Sequence, residues 1–316
     1  MKEFLIGLDG GGTQTRVAVA SAEGVVAGRG QAGACNLAAV PLDDALLAAR
    51  NAAADALREA SVDPADVRAI CAGVAGTSFE ARRLDFAAGL LAAFPNAQIR
   101  VIPDYAIALS GATEGGPGVI VIAGTGSAAY GENASGESHR TGAYGYLIDD
   151  AGSGYGVGRA ALNAILRAAD GTGEATTLSM RITDALQIAS LAEIVPGVYG
   201  GGISRVVIAS LSQVVAEAAL EDGDPAASAI LMRAGGALAQ LAQGVTGRIF
   251  ADAKLPFPVS PIGGLWSAGN VLTDVFTRSL RRFAPIAIFQ PPMSAPVEGA
   301  VQWAGKMLSG GIIAKP

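Results

Sequence analysis

The feature that most constrains this sequence is a glycine-rich turn that follows an apolar run at two places in the chain. The largely apolar residues 4–8 lead into Asp9-Gly10-Gly11-Gly12-Thr13, and the largely apolar residues 118–123 lead into Gly124-Thr125-Gly126-Ser127. At both places a second apolar run and a polar turn follow the glycines. This order is typical of a strand, a tight turn and a second strand. We infer that one architectural unit occurs twice in the chain.

The chemistry of these turns allows two interpretations. Glycines have no side chain, so their backbone N–H groups can approach an anion such as phosphate closely. An ordinary hairpin turn also uses glycine, because such turns need positive φ. Neither turn has the Gly-Lys-Ser/Thr ending of the Walker A loop or the spacing of the dinucleotide fingerprint. Phosphate binding by two such turns, from both sides of a cleft, is the more specific interpretation.

Length, composition and charge limit the class of protein. The 316 residues are enough for two domains, at roughly 150 residues per domain. Apolar residues make up 51% of the chain and charged residues 16%, which excludes intrinsic disorder. The net charge of −6 has the wrong sign for binding a nucleic-acid backbone. We therefore expect a folded protein without a nucleic-acid partner.

Cysteine and histidine usage limits metal chemistry. Cys35, Cys71 and His139 are too few for a zinc site or a disulfide framework, so we expect oxygen ligands for any metal and assign His139 no role. The first apolar run ends at Asp9, too early for a signal peptide or a membrane span. The sequence thus predicts a cytoplasmic protein with no membrane partner.

Hydrophobic periodicity and turn residues predict an α/β protein. In the first third, three hairpin-linked strands precede elements predicted at 41–60 (helix), 67–74 (strand), 77 to about 94 (helix opened by a capping box), 98–102 (strand) and 104–113 (helix). Later elements are predicted at about 157–169, 204–221, 225–250 and 296–308 (helices) and 257–262 (strand). Thr77-Ser78-Phe79-Glu80 matches a capping box. The break at Gly115-Gly116-Pro117 predicts domains 1–115 and 116–316, with the last helix a candidate to pack back on the first domain.

Three motifs give the sequence a specific resemblance. Residues 9–15, Gly124–Ser127 and Ile262-Gly263-Gly264 follow the order of the two phosphate motifs and the adenosine motif of the actin, sugar kinase and Hsp70 superfamily. Within it, the chain resembles the N-acetylglucosamine kinases of the BadF/BadG/BcrA/BcrD ATPase family, from residue 6 to about residue 303. The resemblance implies two ribonuclease H-like (actin-like ATPase) domains with a nucleotide cleft between them.

The same resemblance implies ATP and Mg²⁺ as cofactors. It implies that ATP phosphates are contacted by Gly10, Gly11, Gly12 and Thr13 and, from the other domain, by Gly124, Thr125, Gly126 and Ser127. Asp9 would hold Mg²⁺ through water, and Gly263 and Gly264 would lie against adenosine. Magnesium is commonly held by one or two carboxylates and substrate phosphates, so a histidine cluster is not needed.

Asp104 has two interpretations. It follows an apolar strand and Pro103 at the start of a predicted helix, and aspartate is a favoured N-cap. The resemblance matches Asp104 with the catalytic base of the amino-sugar kinases, which must reach the attacking hydroxyl of the sugar. One carboxylate can serve in both roles.

The resemblance also implies a sugar site. Asn36 matches the sugar-binding asparagine of the family, although a local Asx hydrogen bond would explain it equally. Residues 142–153 resemble a segment that commonly reads Gly-Trp-Gly and then Gly-Asp-Glu-Gly-Ser, which matches Tyr144, Gly145 and Asp150 with sugar-binding positions. Here Tyr144 replaces the tryptophan and Ala151 the glutamate, so the identity of the sugar stays open. Asp149 is expected to be solvated.

The leading hypothesis is a carbohydrate kinase that phosphorylates N-acetylglucosamine at O6, with Asp104 as general base and a homodimer as the expected assembly. Glucosamine and N-acetylmuramic acid remain alternative substrates. An ATP-driven electron-transfer activator of the same broad family is disfavoured, because its cluster-binding cysteines follow the second phosphate motif whereas Cys35 and Cys71 precede it. A sugar-sensing regulator is disfavoured because Asp9 leaves no room for an N-terminal DNA-binding domain.

Overall fold

The computed structural model of the protein describes residues 3–310. These residues cluster into two compact units. The first comprises the described residues of Met1–Gly118, Ala134–Gly136 and Pro291–Pro316, and the second comprises Val119–Asn133 and Glu137–Gln290. The chain therefore passes from the first unit to the second after Gly118, and its C-terminal segment belongs to the first unit.

Both units contain helices and strands. In chain order they are β1 (Phe4–Gly10), β2 (Thr15–Ser21), β3 (Val26–Ala32), α1 (Leu42–Ala60), β4 (Val67–Val74), α2 (Glu80–Ala93), β5 (Gln98–Pro103), α3 (Asp104–Thr113), β6 (Gly118–Ala123), β7 (Ser127–Glu132), β8 (Ser138–Gly142), α4 (Gly154–Ala169), α5 (Leu178–Leu186), α6 (Ile194–Tyr199), α7 (Arg205–Glu221), α8 (Pro225–Ile249), β9 (Phe257–Ile262), α9 (Asn270–Phe283), β10 (Ala287–Phe289) and α10 (Pro296–Leu308). None of the helices within residues 3–310 has the length and apolar character needed to cross a membrane.

The first unit is built on a sheet in the order β3-β2-β1-β4-β5. β1 pairs antiparallel with β2 and parallel with β4, which pairs parallel with β5. Because parallel strands end at the same edge of a sheet, the carboxyl ends of β1, β4 and β5 lie together. The residues that follow these three strands are therefore neighbours in space.

The C-terminal helix α10 packs on the sheet of the first unit, against β1 and α3. A Cβ atom at Gly7 of β1 would lie 2.5 Å from the carbonyl oxygen of Val297 in α10. Real Cβ atoms do not approach so closely, so the contact requires glycine at this position. Ser110 of α3 donates a hydrogen bond to Gln302 of α10 at 2.7 Å. The last helix thus completes the layer on this face of the sheet.

The second unit repeats the architecture of the first. Its sheet has the order β10-β9-β6-β7-β8, which is the order of the first sheet counted from the opposite edge. β6 pairs parallel with β9, β9 pairs parallel with β10, and β7 pairs antiparallel with β8. The inference that one unit occurs twice is confirmed, and the chain has the predicted α/β class with two ribonuclease H-like units.

Two parts of the secondary-structure prediction need correction. The capping box at residues 77–80 is wrong, because α2 begins at Glu80 itself, after Phe79, and Phe79 forms no side-chain cap. The sequence pattern did not predict five further elements, which are β8, α5, α6, α9 and β10. For α9 a signal was present, since its buried Leu272, Phe276 and Leu280 recur at a helical spacing of four residues.

Candidate active site

The first glycine-rich loop joins β1 to β2. The Gly11 N–H donates to the Gln14 carbonyl at 3.0 Å, and the Cys35 N–H donates to the Gly11 carbonyl at 2.9 Å. Gly12 and Thr13 are exposed, and no acceptor for their N–H groups is found among residues 3–310. The loop therefore presents two adjacent N–H groups that can receive an anion.

Close packing explains two of the glycines in this loop. The loop does join the two strands of a hairpin, but Gly10, Gly11 and Gly12 all lie outside the positive-φ region, so positive φ is not the reason for these glycines. A Cβ at Gly10 would lie 3.1 Å from the Cys35 carbonyl oxygen, and one at Gly11 would lie 3.2 Å from the Gln14 carbonyl oxygen. A larger residue at either position would displace the backbone that shapes the loop.

Asp9 lies at the carboxyl end of β1, directly before the loop. It is paired across the hairpin with Arg16 of β2, whose Nη1 lies 3.7 Å from the Asp9 Oδ2. Burial raises the pKa of Asp9 to about 6; Arg16 opposes this increase, and the nearby charge of Asp104 adds to it. The Asp9 carboxylate is thus poorly compensated by the protein, which favours a cationic ligand at this position.

Asp104 is brought to the same edge of the sheet by β5. It is the first residue of α3, and its Oδ1 accepts a hydrogen bond from the Tyr105 N–H at 2.9 Å. The N-cap position belongs to Pro103, so the expectation that Asp104 is the N-cap is wrong. The charge of Asp104 contributes to the raised pKa of Asp9, which shows that the two carboxyl groups interact.

Asn36 lies in the loop between β3 and α1, beside the first glycine-rich loop. Its Oδ1 accepts a hydrogen bond from the Ala38 N–H at 2.9 Å, which is the local Asx interaction considered for this residue. Its Nδ2 lies 3.9 Å from the position that a Cβ at Gly12 would occupy. Because no acceptor for Nδ2 is found in the described part of the chain, the amide can still donate to a ligand there.

The second glycine-rich loop joins β6 to β7 in the other unit. The Gly124 N–H donates to the Gly126 carbonyl at 3.0 Å, and the Gly154 N–H donates to the Gly124 carbonyl at 2.8 Å. For the N–H groups of Thr125 and Gly126, residues 3–310 provide no acceptor. This loop therefore also presents two adjacent N–H groups.

Asp150 holds the second loop through a hydrogen bond. This buried residue accepts the Ser127 N–H on Oδ1 at 2.9 Å, and its Oδ2 lies 3.5 Å from the Arg205 Nη2. A Cβ at Gly126 would lie 3.2 Å from the Asp150 Oδ1, so a larger residue there would press on the carboxylate. Arg205 was not predicted from the sequence, because no motif connects it with Asp150.

The electrostatics of Asp150 combine opposing effects. Burial raises its pKa, the Ser127 N–H and the Arg205 guanidinium lower it, and the neighbouring Asp149 raises it; the net direction is upward. The expected contact of Asp150 with the sugar stays a prediction, whereas the structure shows that Asp150 contacts the loop through the Ser127 N–H.

The segment before Asp150 forms an exposed turn. Tyr144 is exposed, Gly145 has a positive φ of 87°, and the Gly145 carbonyl accepts the N–H groups of Ile148 and Asp149. Asp149 is exposed, as expected. Leu147 is also exposed. The aromatic residue of this turn that contacts a charged group is Tyr146. The guanidinium carbon of Arg205 lies over its ring, 4.7 Å from the centroid.

Gly263 and Gly264 lie at the end of β9 in the second unit. Gly263 has a positive φ of 105°, and a Cβ there would lie 2.5 Å from the Ala123 carbonyl oxygen, directly before the second loop. Gly264 lines a cavity of about 420 Å³, a size suited to a small-molecule ligand. The other lining residues are Ser210, Ser212, Gln213, Ala216, Glu217, Leu220, Leu265, Ser267, Ala268 and Gly269.

The residues at the first loop fit a hydrated divalent cation bound together with phosphate. Asp9 supplies an under-compensated carboxylate beside the two open N–H groups of Gly12 and Thr13. No group of three or more His, Cys, Asp or Glu side chains within residues 3–310 could hold a metal by itself. A cation at Asp9 would therefore depend on ligand phosphates and water, which is the usual situation of magnesium.

Known proteins resemble this chain over nearly its whole length. Residues 6–304 match the sequence model of the BadF/BadG/BcrA/BcrD ATPase family. The N-acetylmuramic acid/N-acetylglucosamine kinase of Clostridium acetobutylicum is 30% identical over 278 residues, covering 88% of this chain and 90% of the relative. The N-acetyl-D-glucosamine kinase of Dictyostelium discoideum is 30% identical over 298 residues, with coverages of 90% and 92%. A crystal structure of a candidate N-acetylglucosamine kinase from Chromobacterium violaceum superposes with a TM-score of 0.78 at 26% identity, covering 95% of this chain and 98% of that one.

Proposed function

The chain belongs to the BadF/BadG/BcrA/BcrD ATPase family and is a carbohydrate kinase, and we propose that it transfers the γ-phosphoryl group of ATP to O6 of N-acetylglucosamine. The observation that carries this proposal is the position of Asp9 and Asp104 at the carboxyl ends of β1 and β5, on one sheet edge beside a loop with two open N–H groups. The amino-sugar kinases among its relatives support the substrate class.

Asp104 is the proposed general base. Phosphoryl transfer to a hydroxyl needs a proton acceptor within hydrogen-bond reach and neutralisation of the phosphate charge. The Tyr105 N–H orients the Asp104 carboxyl at the start of α3, where it would accept the proton of the sugar O6. Asp9 would hold Mg²⁺ through water, and the cation supplies charge neutralisation on the phosphates when bound.

The glycine-rich loops are the proposed phosphate ligands. In the first unit the Gly12 and Thr13 N–H groups would donate to phosphate oxygens, and in the second unit those of Thr125 and Gly126 would do so. The cavity lined by Gly264 would take the adenosine moiety.

The proposed sugar ligands are Asn36, Tyr144, Gly145, Asp150 and Asp104. Asn36 would donate through Nδ2, because its Oδ1 already accepts the Ala38 N–H. Glucosamine and N-acetylmuramic acid are the alternative substrates, since Tyr144 stands where the family commonly has tryptophan.

The electron-transfer alternative receives no support from the cysteines. Cys35 and Cys71 are both buried in the first unit. Burial raises the pKa of Cys35 to about 12 and that of Cys71 further still. A bridging cluster needs thiolates at a surface shared by two subunits, whereas Cys35 and Cys71 are buried thiols.

A coupled ADP-release assay tests the proposal. We expect ADP release to require Mg²⁺ and an amino sugar, with N-acetylglucosamine turned over faster than glucosamine or N-acetylmuramic acid. The phosphorylated carbon would be identified by ³¹P–¹³C coupling in the product. ATP hydrolysis that proceeds equally fast without any sugar would contradict the kinase proposal, and a product phosphorylated elsewhere than O6 would contradict its regiochemistry.

A further inference from the structure

Arg205 breaks a local rule of helix formation. It is the first residue of α7, where the helix dipole disfavours a positive charge, and the helix is already capped by Ser204. Residues that break a local rule are expected where another interaction compensates. For Arg205 this compensation comes from groups at the second glycine-rich loop.

Three groups surround the guanidinium of Arg205. Its Nη2 lies 3.5 Å from the Asp150 Oδ2 and 3.6 Å from the position that a Cβ at Gly126 would occupy. Its carbon lies 4.7 Å from the centroid of the Tyr146 ring. That ring is itself fixed by an edge contact with Tyr155, at 5.1 Å and an interplanar angle of 72°. Arg205 is therefore held on an aromatic surface although its side chain is 41% exposed.

We propose that Arg205 is a positioning residue: held on Tyr146, it fixes the charge and orientation of the Asp150 carboxylate, which in turn holds the Gly124–Ser127 loop ready to receive phosphate. The link from Arg205 to Asp150 stands on the contacts alone. The assumption that this loop binds phosphate rests on the proposed function.

The charged surroundings of Asp150 give Arg205 a measurable effect. Asp150 faces the Ser127 N–H from β7, the Arg205 guanidinium from α7 and the Asp149 carboxylate from its own turn. Without Arg205, burial and Asp149 would both favour the protonated form, and the Ser127 N–H would lose a charge-assisted acceptor.

Carboxyl NMR titration tests the first link without any enzyme assay. In protein labelled with ¹³C at aspartate carboxyls, the Asp150 signal is assigned by its loss in Asp150→Asn. We expect Arg205→Met to raise the titration midpoint of Asp150 by about one pH unit or more, because an opposite charge is lost. Arg205→Lys keeps the charge and should shift the midpoint less. Arg233→Met, at an exposed position of α8, is the matched control and should leave it unchanged. An unchanged midpoint in Arg205→Met would overturn the proposal.

Calorimetric titration with MgATP tests the second link. We expect Arg205→Met to weaken ATP binding about tenfold with little change in Tm, as when a charged contact is lost. Tyr146→Phe retains the ring and should bind normally, whereas Tyr146→Leu should weaken binding. Wild-type affinity in Arg205→Met would contradict the link to the loop. If wild-type enzyme phosphorylates no amino sugar, the proposed function fails, but the NMR titration still decides the role of Arg205.

Discussion

The two glycine-rich loops have the same backbone design, but the acid beside each is used differently. Each loop leaves two adjacent N–H groups without an acceptor in the described part of the chain. In the first unit, Asp9 forms a long ion pair with Arg16 and faces Asp104. In the second unit, Asp150 is occupied by the Ser127 N–H and lies beside Arg205.

This difference indicates a division of work between the units. A carboxylate that burial and a like charge destabilise, and that only a long ion pair offsets, gains most from a bound cation or proton, as at Asp9. At Asp150 burial and Asp149 also raise the pKa, but this carboxylate accepts the Ser127 N–H beside Arg205 and thereby holds the second loop. We therefore expect substitutions in the first unit to affect chemistry and those in the second unit to affect ligand binding.

The largest effect should come from Asp104→Asn. The amide retains an acceptor for the Tyr105 N–H but cannot take a proton, so kcat should fall by about 10²–10⁴ with Tm nearly unchanged. Asp43→Asn, in the first turn of α1, is the matched control for an acid at a helix start and should keep kcat. If Asp104→Asn retains kcat and loses stability, its role is structural.

Asp9→Asn should stabilise the folded protein while it impairs catalysis. The pKa of Asp9 is raised from 3.8 to about 6, and one pKa unit corresponds to about 1.4 kcal/mol. The free energy of unfolding at pH 7 should therefore rise by about 2–3 kcal/mol, as measured in urea. Asp150→Asn should raise it by less, because its amide NH₂ would face the Arg205 guanidinium, although burial raises the pKa of Asp150 as well. Equal effects of the two substitutions would remove the contrast between the loops.

The pH dependence of stability should separate Asp9 from other acids. Because its pKa is raised on folding, the folded state favours the protonated form, and the contribution of Asp9 to stability is lost as pH rises from about 4 through 6. The stability difference between Asp9→Asn and wild type should therefore vanish near pH 4 and be complete above pH 7. A difference that is constant over this range would show that the substitution acts through packing.

The smallest effect should distinguish the glycines of the two loops. Gly126→Ala would place a methyl group 3.2 Å from the Asp150 carboxylate. It should lower the free energy of unfolding by about 1 kcal/mol, and with it Tm, and should weaken ATP binding. A Cβ at Gly12 meets no atom closer than the Asn36 Nδ2 at 3.9 Å, so Gly12→Ala should not lower Tm. Thermal unfolding of both variants checks this, and equal losses would show that the loops are equally packed.

Local features of the sequence were sufficient for the repeated unit and for the loops. A strand, a glycine-rich turn and a second strand are recognisable from neighbouring residues, and the hairpin alone pairs Asp9 with Arg16. The order of the three motifs led to the family. The exact start of α2 at Glu80 was not predictable in this way, because Thr77 and Glu80 have the capping pattern without forming the cap.

Only the tertiary structure decided which distant residues meet. Asp104 reaches Asp9 because β1, β4 and β5 are parallel and end together, and Arg205 reaches Asp150 because the start of α7 lies beside the turn before α4. The return of α10 to the first sheet depends on Gly7 and its close contact with Val297. Short-range patterns encode turns and strands, whereas these contacts depend on the burial and pairing of whole elements, which no single segment of the sequence encodes.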